Sequence, residues 1–333
     1  MEGQRPVRIK DVAERASVSV ATVSRVLNGD PSVDPQFRER VRKAVAELGY
    51  RPNRLARNLR RQQMEALGIV VPDIEDPHFA EVVRIIEGIA IERGYRVMVC
   101  NTDEDEVRQA ACLRMLADER VGGIVLSPAD SAGDISHLRD LGIPVVAIDR
   151  VLARAQTDLI VADNALGARL ATQRLIDAGH RRIAFVGGRA ELESPSELKK
   201  GYVAAIEAAG LRELLASGAS RREAARVAVT MLLGGADPPT ALIVTNNLMA
   251  LGAMQAVRDC GLRVPGDVAI IAVDDPDWAE LLDPPLSVLA QPIHTMASHA
   301  ADVLIRRIRG EEFPLVHDVH PLELIIRSSC GTR

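Results

Sequence analysis

Apolar positions are spaced in two different ways along the chain. Over the first fifty residues they recur at helical intervals in three short blocks. Ile9, Val12, Ala13 and Ala16 share one face of a helix predicted over Ile9–Ala16. Ala16-Ser17-Val18-Ser19 breaks that period, and Ser19 suits the N-cap of a second helix, Val20–Asn28, with Val23, Val26 and Leu27 as its buried stripe. Asn28-Gly29 followed by Pro31 is a stop signal. A third helix has Asp34 as its cap and Pro35 at its first position. It turns Phe37, Val41, Ala44, Val45 and Leu48 inward and ends at Gly49.

From Leu67 onward the pattern changes. Short Val/Ile-rich runs at Leu67–Val71, Tyr95–Cys100, Gly123–Leu126 and Pro144–Ile148 alternate with amphipathic stretches at Phe79–Gly94 and Val107–Ala117. The scheme restarts at Arg182–Gly187. Helices follow at Ser196–Ala209, Ala224–Leu233 and Leu248–Cys260, with strands at Ala241–Thr245 and Val268–Val273. Continuous apolar strands between helices mean parallel sheets covered on both faces. The expected fold is therefore an all-α helix-turn-helix head followed by a two-lobed, doubly wound α/β core.

Composition agrees with several domains. The chain has 333 residues, 47% hydrophobic and 26% charged, which is globular and too long for one compact core. The four cysteines, Cys100, Cys112, Cys260 and Cys330, have no CxxC spacing and read as thiols in a reducing compartment. Glu2, Arg5, Arg8, Lys10, Asp11, Glu14 and Arg15 leave no room for an apolar signal segment. No apolar run approaches the roughly 18 residues that span a bilayer. A cytoplasmic protein with no membrane partner is expected.

The net charge of −5 hides an asymmetry. Residues 1–61 carry 14 Lys and Arg against 7 Asp and Glu, while the remainder carries 27 against 39, giving +7 and −12. A small basic head on a large acidic body is the footprint of a module that binds a polyanion. Two short helices joined by a tight turn can set the second into a major groove. Its outward residues Val20, Ala21, Thr22, Ser24 and Arg25 are small or polar, with one Arg able to grip a base edge bidentately. An ordinary three-helix bundle has the same periodicity, and it is the charge that points to DNA. In the segment RPNRLARNLRR, residues 51–61, Leu55 and Leu59 lie one turn apart beside Arg54, Arg57, Arg60 and Arg61. An apolar wedge flanked by phosphate-binding charges is what kinking a minor groove requires. A basic linker whose leucines pack on the body reads equally well.

In doubly wound folds ligands bind at the carboxyl ends of strands. The candidates there are Asp73, Asp76, His78 and Phe79, Ser127, Asp149 and Arg150, Asn246 and Asn247, and Asp274 and Asp275, with Trp278 just beyond. Carboxylates, amides and an Arg converging with aromatic rings suit a hydroxyl-rich ligand. Taken singly, each Asp or Asn could equally cap the helix that follows its strand. No GxxxxGK[ST], HExxH, GxSxG or GxGxxG is present, so an enzyme is not expected, although paired carboxylates leave a carbohydrate-active enzyme conceivable. His317 and His320 are spaced HxxH but read as a surface turn. No metal or other cofactor is expected.

The run IKDVAERASVSVATVSRVLNGDPSVDPQFRERVRKAVAELGYRPNRLARNLR resembles the DNA-binding head and hinge of the lac-repressor (LacI/GalR) family. The resemblance implies that Val20, Ala21 and Arg25 face bases and that Ser19, Thr22, Ser24 and Asn28 mainly hold phosphates. It also implies that Leu59 enters the operator with Asn53, Arg54 and Ala56 beside it, and Arg60 joins this face. The stretches GIVVPDIEDPHFAEVVRIIEGIA, GIPVVAIDR, TNNLMALGAM and VPGDVAIIAVDDPDWAELLDPPLSVLAQPI resemble the effector-binding core of the same family. They imply an effector cleft bordered by Asp76, His78, Phe79, Ser127, Asp149, Arg150, Asn246, Asp274 and Gln291. They imply a head over 1–50, a hinge over 51–61, a first lobe of 62–161 and 291–320, and a second of 162–290 and 321–333. The function implied is a repressor binding a pseudo-palindromic double-stranded operator as a homodimer or higher oligomer, controlled by a small sugar-like effector. A corepressor-dependent regulator with a nucleobase-type effector is the alternative. The sequence departs from the family pattern at Arg8, where a Thr cap is usual, and at Ser17, often Gly. Leu198 replaces a usual effector-contacting Arg three residues before Gly201-Tyr202, and Asn247 follows Asn246 where Asp is usual.

Overall fold

The computed structural model describes residues 9–27, 33–48, 66–129, 133–152, 156–189 and 192–331. The chain divides into two compact units, 1–64 and 65–333. The linker 51–61, with Asn53, Arg54, Ala56, Leu59 and Arg60, lies outside the described residues, as does Asn28.

In the head, α1 (Ile9–Ala16), α2 (Val20–Leu27) and α3 (Pro35–Leu48) enclose a small core of Val12, Ala13, Ala16, Val23, Val41 and Ala44. The α1–α2 turn depends on Ser17, which adopts a left-handed backbone at φ 49° while the Val18 amide reaches back to the Ala13 carbonyl at 3.0 Å. That is a Schellman-type helix end, where glycine is the usual occupant. Ser19 caps α2, its Oγ accepting from the Thr22 amide at 3.0 Å, and Asp34 caps α3 by accepting from the Gln36 amide at 2.7 Å. Phe37 corrects the sequence reading. It is 42% exposed, with the Arg40 guanidinium 5.7 Å from its ring centre. Val33 is buried instead, its carbonyl held by Arg38 Nε and Nη2 at 3.0 and 2.8 Å.

The larger unit contains two six-stranded sheets. The first runs β11-β5-β4-β3-β1-β2, built from β1 (Ala66–Val71), β2 (Arg96–Asn101), β3 (Gly123–Leu126), β4 (Val145–Ile148), β5 (Asp158–Ala162) and β11 (His317–His320), all parallel. The second runs β12-β10-β9-β8-β6-β7, built from β6 (Ile183–Gly187), β7 (Leu214–Ser217), β8 (Ala241–Val244), β9 (Ala269–Val273), β10 (Ser287–Ala290) and an antiparallel β12 (Glu323–Ile325). Strand for strand the two orders correspond, so β4 and β9 occupy equivalent places, as do β2 and β7. Helices α4 (Pro77–Glu92), α5 (Glu106–Asp118), α6 (Ser136–Asp140) and α11 (Ile293–Ile308) belong with the first sheet. Those with the second are α7 (Asn164–Asp177), α8 (Glu193–Ala208), α9 (Arg222–Leu233) and α10 (Asn247–Asp259). The chain passes between lobes after β5, after β10 and after β11.

The central strands are buried on both faces, as continuous apolar runs require: ALGIVV in β1 and AIIAV in β9 have no exposed residue. His317–His320 is an edge strand rather than the expected surface turn, because its backbone pairs with Leu159–Ala162 of β5. The Gly201-Tyr202 motif is structural. A Cβ on Gly201 would collide with the Ala165 carbonyl, so glycine lets α8 lie against the α7 backbone. The buried Tyr202 hydroxyl donates to the Ile183 carbonyl at 2.9 Å and accepts from the Leu214 amide at 3.0 Å, linking β6 to β7.

Candidate functional site

The first candidate surface is the outer side of α2. Ser19, Val20, Ala21 and Arg25 are exposed, and Thr22 and Ser24 are half-buried. These side chains leave the helix short and low, so its backbone can approach a groove closely, and Arg25 is the one long donor among them. The capped N-terminus adds free amides and the positive end of the helix dipole, which favour a phosphate.

The second is the cleft where the strand ends of the two lobes face each other. Eight described non-glycine residues have left-handed backbones, and six of them line these strand ends: Asp103 and Glu104 after β2, Ala219 and Ser220 after β7, Asp149 after β4 and Asp274 after β9. The strain repeats at equivalent places in the two lobes, and concentrated strain of this kind marks positions the fold holds for a purpose. It aims Asp149 and Asp274 at one imidazole from opposite sides. His78 Nε2 lies 3.7 Å from Asp149 Oδ1, and its Nδ1 lies 3.5 Å from Asp274 Oδ1. At those distances the ring is held by charge, and neither nitrogen makes a hydrogen bond.

His78 sits just inside α4, whose cap is Asp76. The Asp76 carboxylate accepts from the His78 amide at 3.1 Å and from Asn247 Nδ2 of the other lobe at 3.0 Å. Burial opposes charge on His78, but Asp274, then Asp149 and Asp76, outweigh it and push the imidazole up to about 9. Burial, with Asp274 adding repulsion, lifts Asp76 to about 6 despite His78 and Asn247. Burial also raises Asp149, against His78 and Arg150. Gln291 Nε2 donates to Asp274 at 2.8 Å. Arg150 is committed to Glu104 by two bonds of 2.9 Å and lies 5.6 Å from the Phe79 ring centre.

More groups bridge the lobes. Arg221 of the second lobe donates to Asp73 at 2.9 Å and to Asp103, and Arg189 donates to the Glu104 carbonyl. With these contacts made, the remaining cavity is about 50 Å³, lined among others by Asp76, Asp149, Asn246, Asp274 and Gln291. Ligand sites are typically about 300–1,000 Å³, so a ligand here must part the lobes or move His78. A roomier groove of about 510 Å³ lies at the amino ends of β4 and β5. Of the charged groups lining it, Asp158 and Arg307 bond each other at 2.9 Å, and Asp134 accepts from the Ser136 amide at 2.8 Å beside Arg139.

Of the cleft residues expected from sequence, Asp76, His78, Phe79, Asp149, Arg150, Asn246, Asp274 and Gln291 line this cavity. Ser127 and Trp278 do not. Ser127 is wholly buried, its amide extending the ladder to Val70, and Trp278 turns away to pack on the second-lobe core. Asp275 also faces elsewhere, pairing with Arg327 at 2.6 and 2.8 Å. Asn246 is primarily a cap, accepting from the Met249 amide at 2.8 Å. Sequence reasoning missed Glu104, Ser194, Ser220, Arg221 and Thr245. The available signal was the end of β2, where the polar run Asn101–Glu106 follows an apolar strand.

Residues 8–53 match the model of bacterial regulatory proteins of the lacI family, and residues 172–330 match a periplasmic binding protein-like domain. The chain is 34% identical to the HTH-type transcriptional repressor PurR of Vibrio vulnificus (strain CMCP6), over 96% of this chain and 98% of that protein. It is 36% identical to the ribose operon repressor of Escherichia coli (strain K12), over 90% and 92%. Among solved structures, the lac repressor dimer bound to operator and an anti-inducer is similar at a TM-score of 0.88 and 27% identity, covering 98% of this chain and all of that one.

Proposed function

The chain belongs to the lacI family of bacterial regulatory proteins and is a DNA-binding transcriptional regulator, not an enzyme; from that premise we propose that it is a cytoplasmic repressor released from its operator by a neutral, hydroxyl-rich effector held between the lobes. A homodimer presents two copies of α2 to a pseudo-palindromic operator. Ser19, Val20, Ala21, Thr22, Ser24, Arg25 and Asn28 form the major-groove face. The 51–61 segment, with Asn53, Arg54, Ala56, Leu59 and Arg60, enters the minor groove. The head spans 1–50, and the lobes are 62–161 with 291–320 and 162–290 with 321–333.

The observation carrying the effector reading is the convergence of Asp149 and Asp274, each in a left-handed conformation at an equivalent strand end, on the same buried space. Carboxylates accept from hydroxyls, and Gln291 and Asn247 supply amides beside them. Arg150 and Arg221 are engaged by carboxylates, so an anionic ligand finds no uncommitted guanidinium in that pair. A nucleobase requires an aromatic face for stacking. The Phe79 ring already stands at right angles to His78, with centres 4.8 Å apart, and the Arg150 guanidinium lies over it. This favours the polyol over the nucleobase.

The test is to titrate the full chain with neutral sugars, sugar phosphates and purine bases while following thermal stability and binding to an operator selected from random DNA. A neutral sugar should raise the melting temperature and weaken operator binding by about 5–150-fold. Binding by phosphorylated compounds alone defeats the effector assignment. A purine that tightens operator binding replaces it with the corepressor mode.

A further inference from the structure

The first lobe carries a second polar cluster, away from the cleft. Successive side chains of a strand point to opposite faces, so Asp318 and His320 of β11 share one face while His317 and Val319 take the other. His317 and Val319 are exposed, whereas Asp318 and His320 are half-buried. His299 of α11 joins the same face. Its Nδ1 lies 2.8 Å from Asp318 Oδ2, and His320 Nε2 lies 3.0 Å from that same oxygen. The two imidazole rings stand 6.3 Å apart at 84°. One ligand atom from each residue falls within 4.8 Å of the others.

Hydrogen bonding does not account for this convergence. His320 Nε2 is buried and makes no hydrogen bond, although it is 3.0 Å from a carboxylate oxygen. Its N–H axis therefore does not run to that oxygen. Two imidazoles and one carboxylate, drawn from a helix and a hydrogen-bonded strand, instead form the nitrogen and oxygen set that suits a first-row divalent ion.

We propose that His299, Asp318 and His320 bind one divalent cation of borderline softness, with zinc as the reference ion and water completing its shell. Tetrahedral bonds of about 2.0–2.1 Å put donors about 3.3 Å apart, so each imidazole must draw back from the carboxylate oxygen by a few tenths of an ångström and the two nitrogens must settle at the same spacing, within a cluster whose donors lie within 4.8 Å of one another. The location gives the site a consequence. His320 ends β11 just before the chain crosses to the second lobe, and α11 begins just after another crossing. The His320 carbonyl also accepts from the amide of Asp163, at the third crossing, at 2.7 Å. A bound cation fastens α11 to β11 where the lobes are joined.

The experiment uses untagged, chelator-treated full-length protein, titrated with Zn²⁺ and Co²⁺ by calorimetry and visible absorption. One equivalent should bind, with the visible bands of a four-coordinate cobalt ion and no thiolate charge-transfer band. Zinc should raise the melting temperature. His299→Ala and His320→Ala should each weaken binding at least about tenfold. His317→Ala, on the opposite face, and Cys260→Ser, which removes an exposed thiol, should leave it unchanged. Circular dichroism verifies folding, and His299→Gln serves if an alanine variant does not fold. If wild-type protein shows no saturable binding up to about 100 μM cation, or if His299→Ala and His320→Ala bind as wild type does, the proposal is overturned. The cluster is then only a carboxylate between two imidazoles.

Discussion

An imidazole buried among Asp76, Asp149 and Asp274 keeps its proton at neutral pH, because losing it would leave three buried carboxylates facing one another. This makes stability depend on pH in a defined direction. Folded His78 holds its proton up to about 9 against 6.5 when free, so its contribution is complete below pH 6.5 and is lost as pH rises through about 9. Asp76, lifted from 3.8 to about 6, favours the folded state most below pH 3.8 and loses that preference as pH rises through about 6. His78→Gln should therefore remove the fall in melting temperature centred near pH 9, and should shift the Asp76-linked fall upward from about pH 6, because the imidazolium no longer lowers that carboxyl. An unchanged alkaline limb would move the charge away from His78. A second expectation concerns Asp274, which accepts from Gln291 and faces the cavity. Asp274→Ala should weaken the effector by about 10–150-fold through lost hydrogen bonds to a charged acceptor, and operator binding without effector should persist. Release of DNA at the wild-type effector concentration would refute the cleft assignment. Asp149 and Asp274 were legible in sequence because the first polar residue after an apolar run marks a strand end. Arg221 was not, since its partners Asp73 and Asp103 lie across the cleft and no local pattern brings the lobes together.

At the scale of elements, the structure records where a local rule was bent and what supports it. Ser17 holds the left-handed position that ends α1, a conformation costing an L-residue about 1–2 kcal/mol. Arg40 donates to its carbonyl at 3.1 Å, tying the turn to α3. Ser17→Gly should stabilise the head by roughly 0.5–1 kcal/mol after glycine's greater freedom in the unfolded chain is subtracted. Chemical denaturation of the head, followed by circular dichroism, reads this directly. Gly201 presents the opposite case. Gly201→Ala should cost at least about 2 kcal/mol, since the added methyl meets the α7 backbone rather than a side chain able to move. A loss within experimental error would mean that α7 and α8 can slide apart freely. Most helices with a clean apolar stripe and most strands buried on both faces were readable to within a few residues. The elements that escaped include β5, β10, α7 and α11, which carry that signature and were not assigned, as well as others that lack it. β7 alternates half-buried and exposed residues, and β11 is HDVH, a polar edge strand defined by its backbone pairing with β5. Phe37 failed for a related reason: periodicity identifies a face but not where a small core stops, and Phe37 lies beyond it.

Across the whole molecule, the net positive charge lies in the segment that carries the DNA-binding head. Residues 1–61 carry +7 and the rest −12, so the body repels the polyanion that the head attracts. The exchanges of lobe after β10 and β11 were not legible in composition, which does not change there. The charge division was legible by counting. It leads to an expectation about assembly. The eight-residue helix α2 offers few side chains to a groove, too few to specify a site alone, and a two-fold dimer doubles both the base contacts and the phosphate contacts. Each phosphate neutralised releases counterions, and a plot of log affinity against log salt should fall with a slope near −0.9 per contact. A dimer making about 6–10 phosphate contacts should lose about 10³–10⁵ in operator affinity between 50 and 200 mM salt. Effector binding, which takes place among carboxylates in the acidic body, should change far less over the same range. Fluorescence anisotropy on a selected pseudo-palindromic operator and on one isolated half-site separates the cases. If the half-site binds one chain with the same affinity and the same salt slope as the full site, the second head contributes nothing and the dimeric mode of recognition fails.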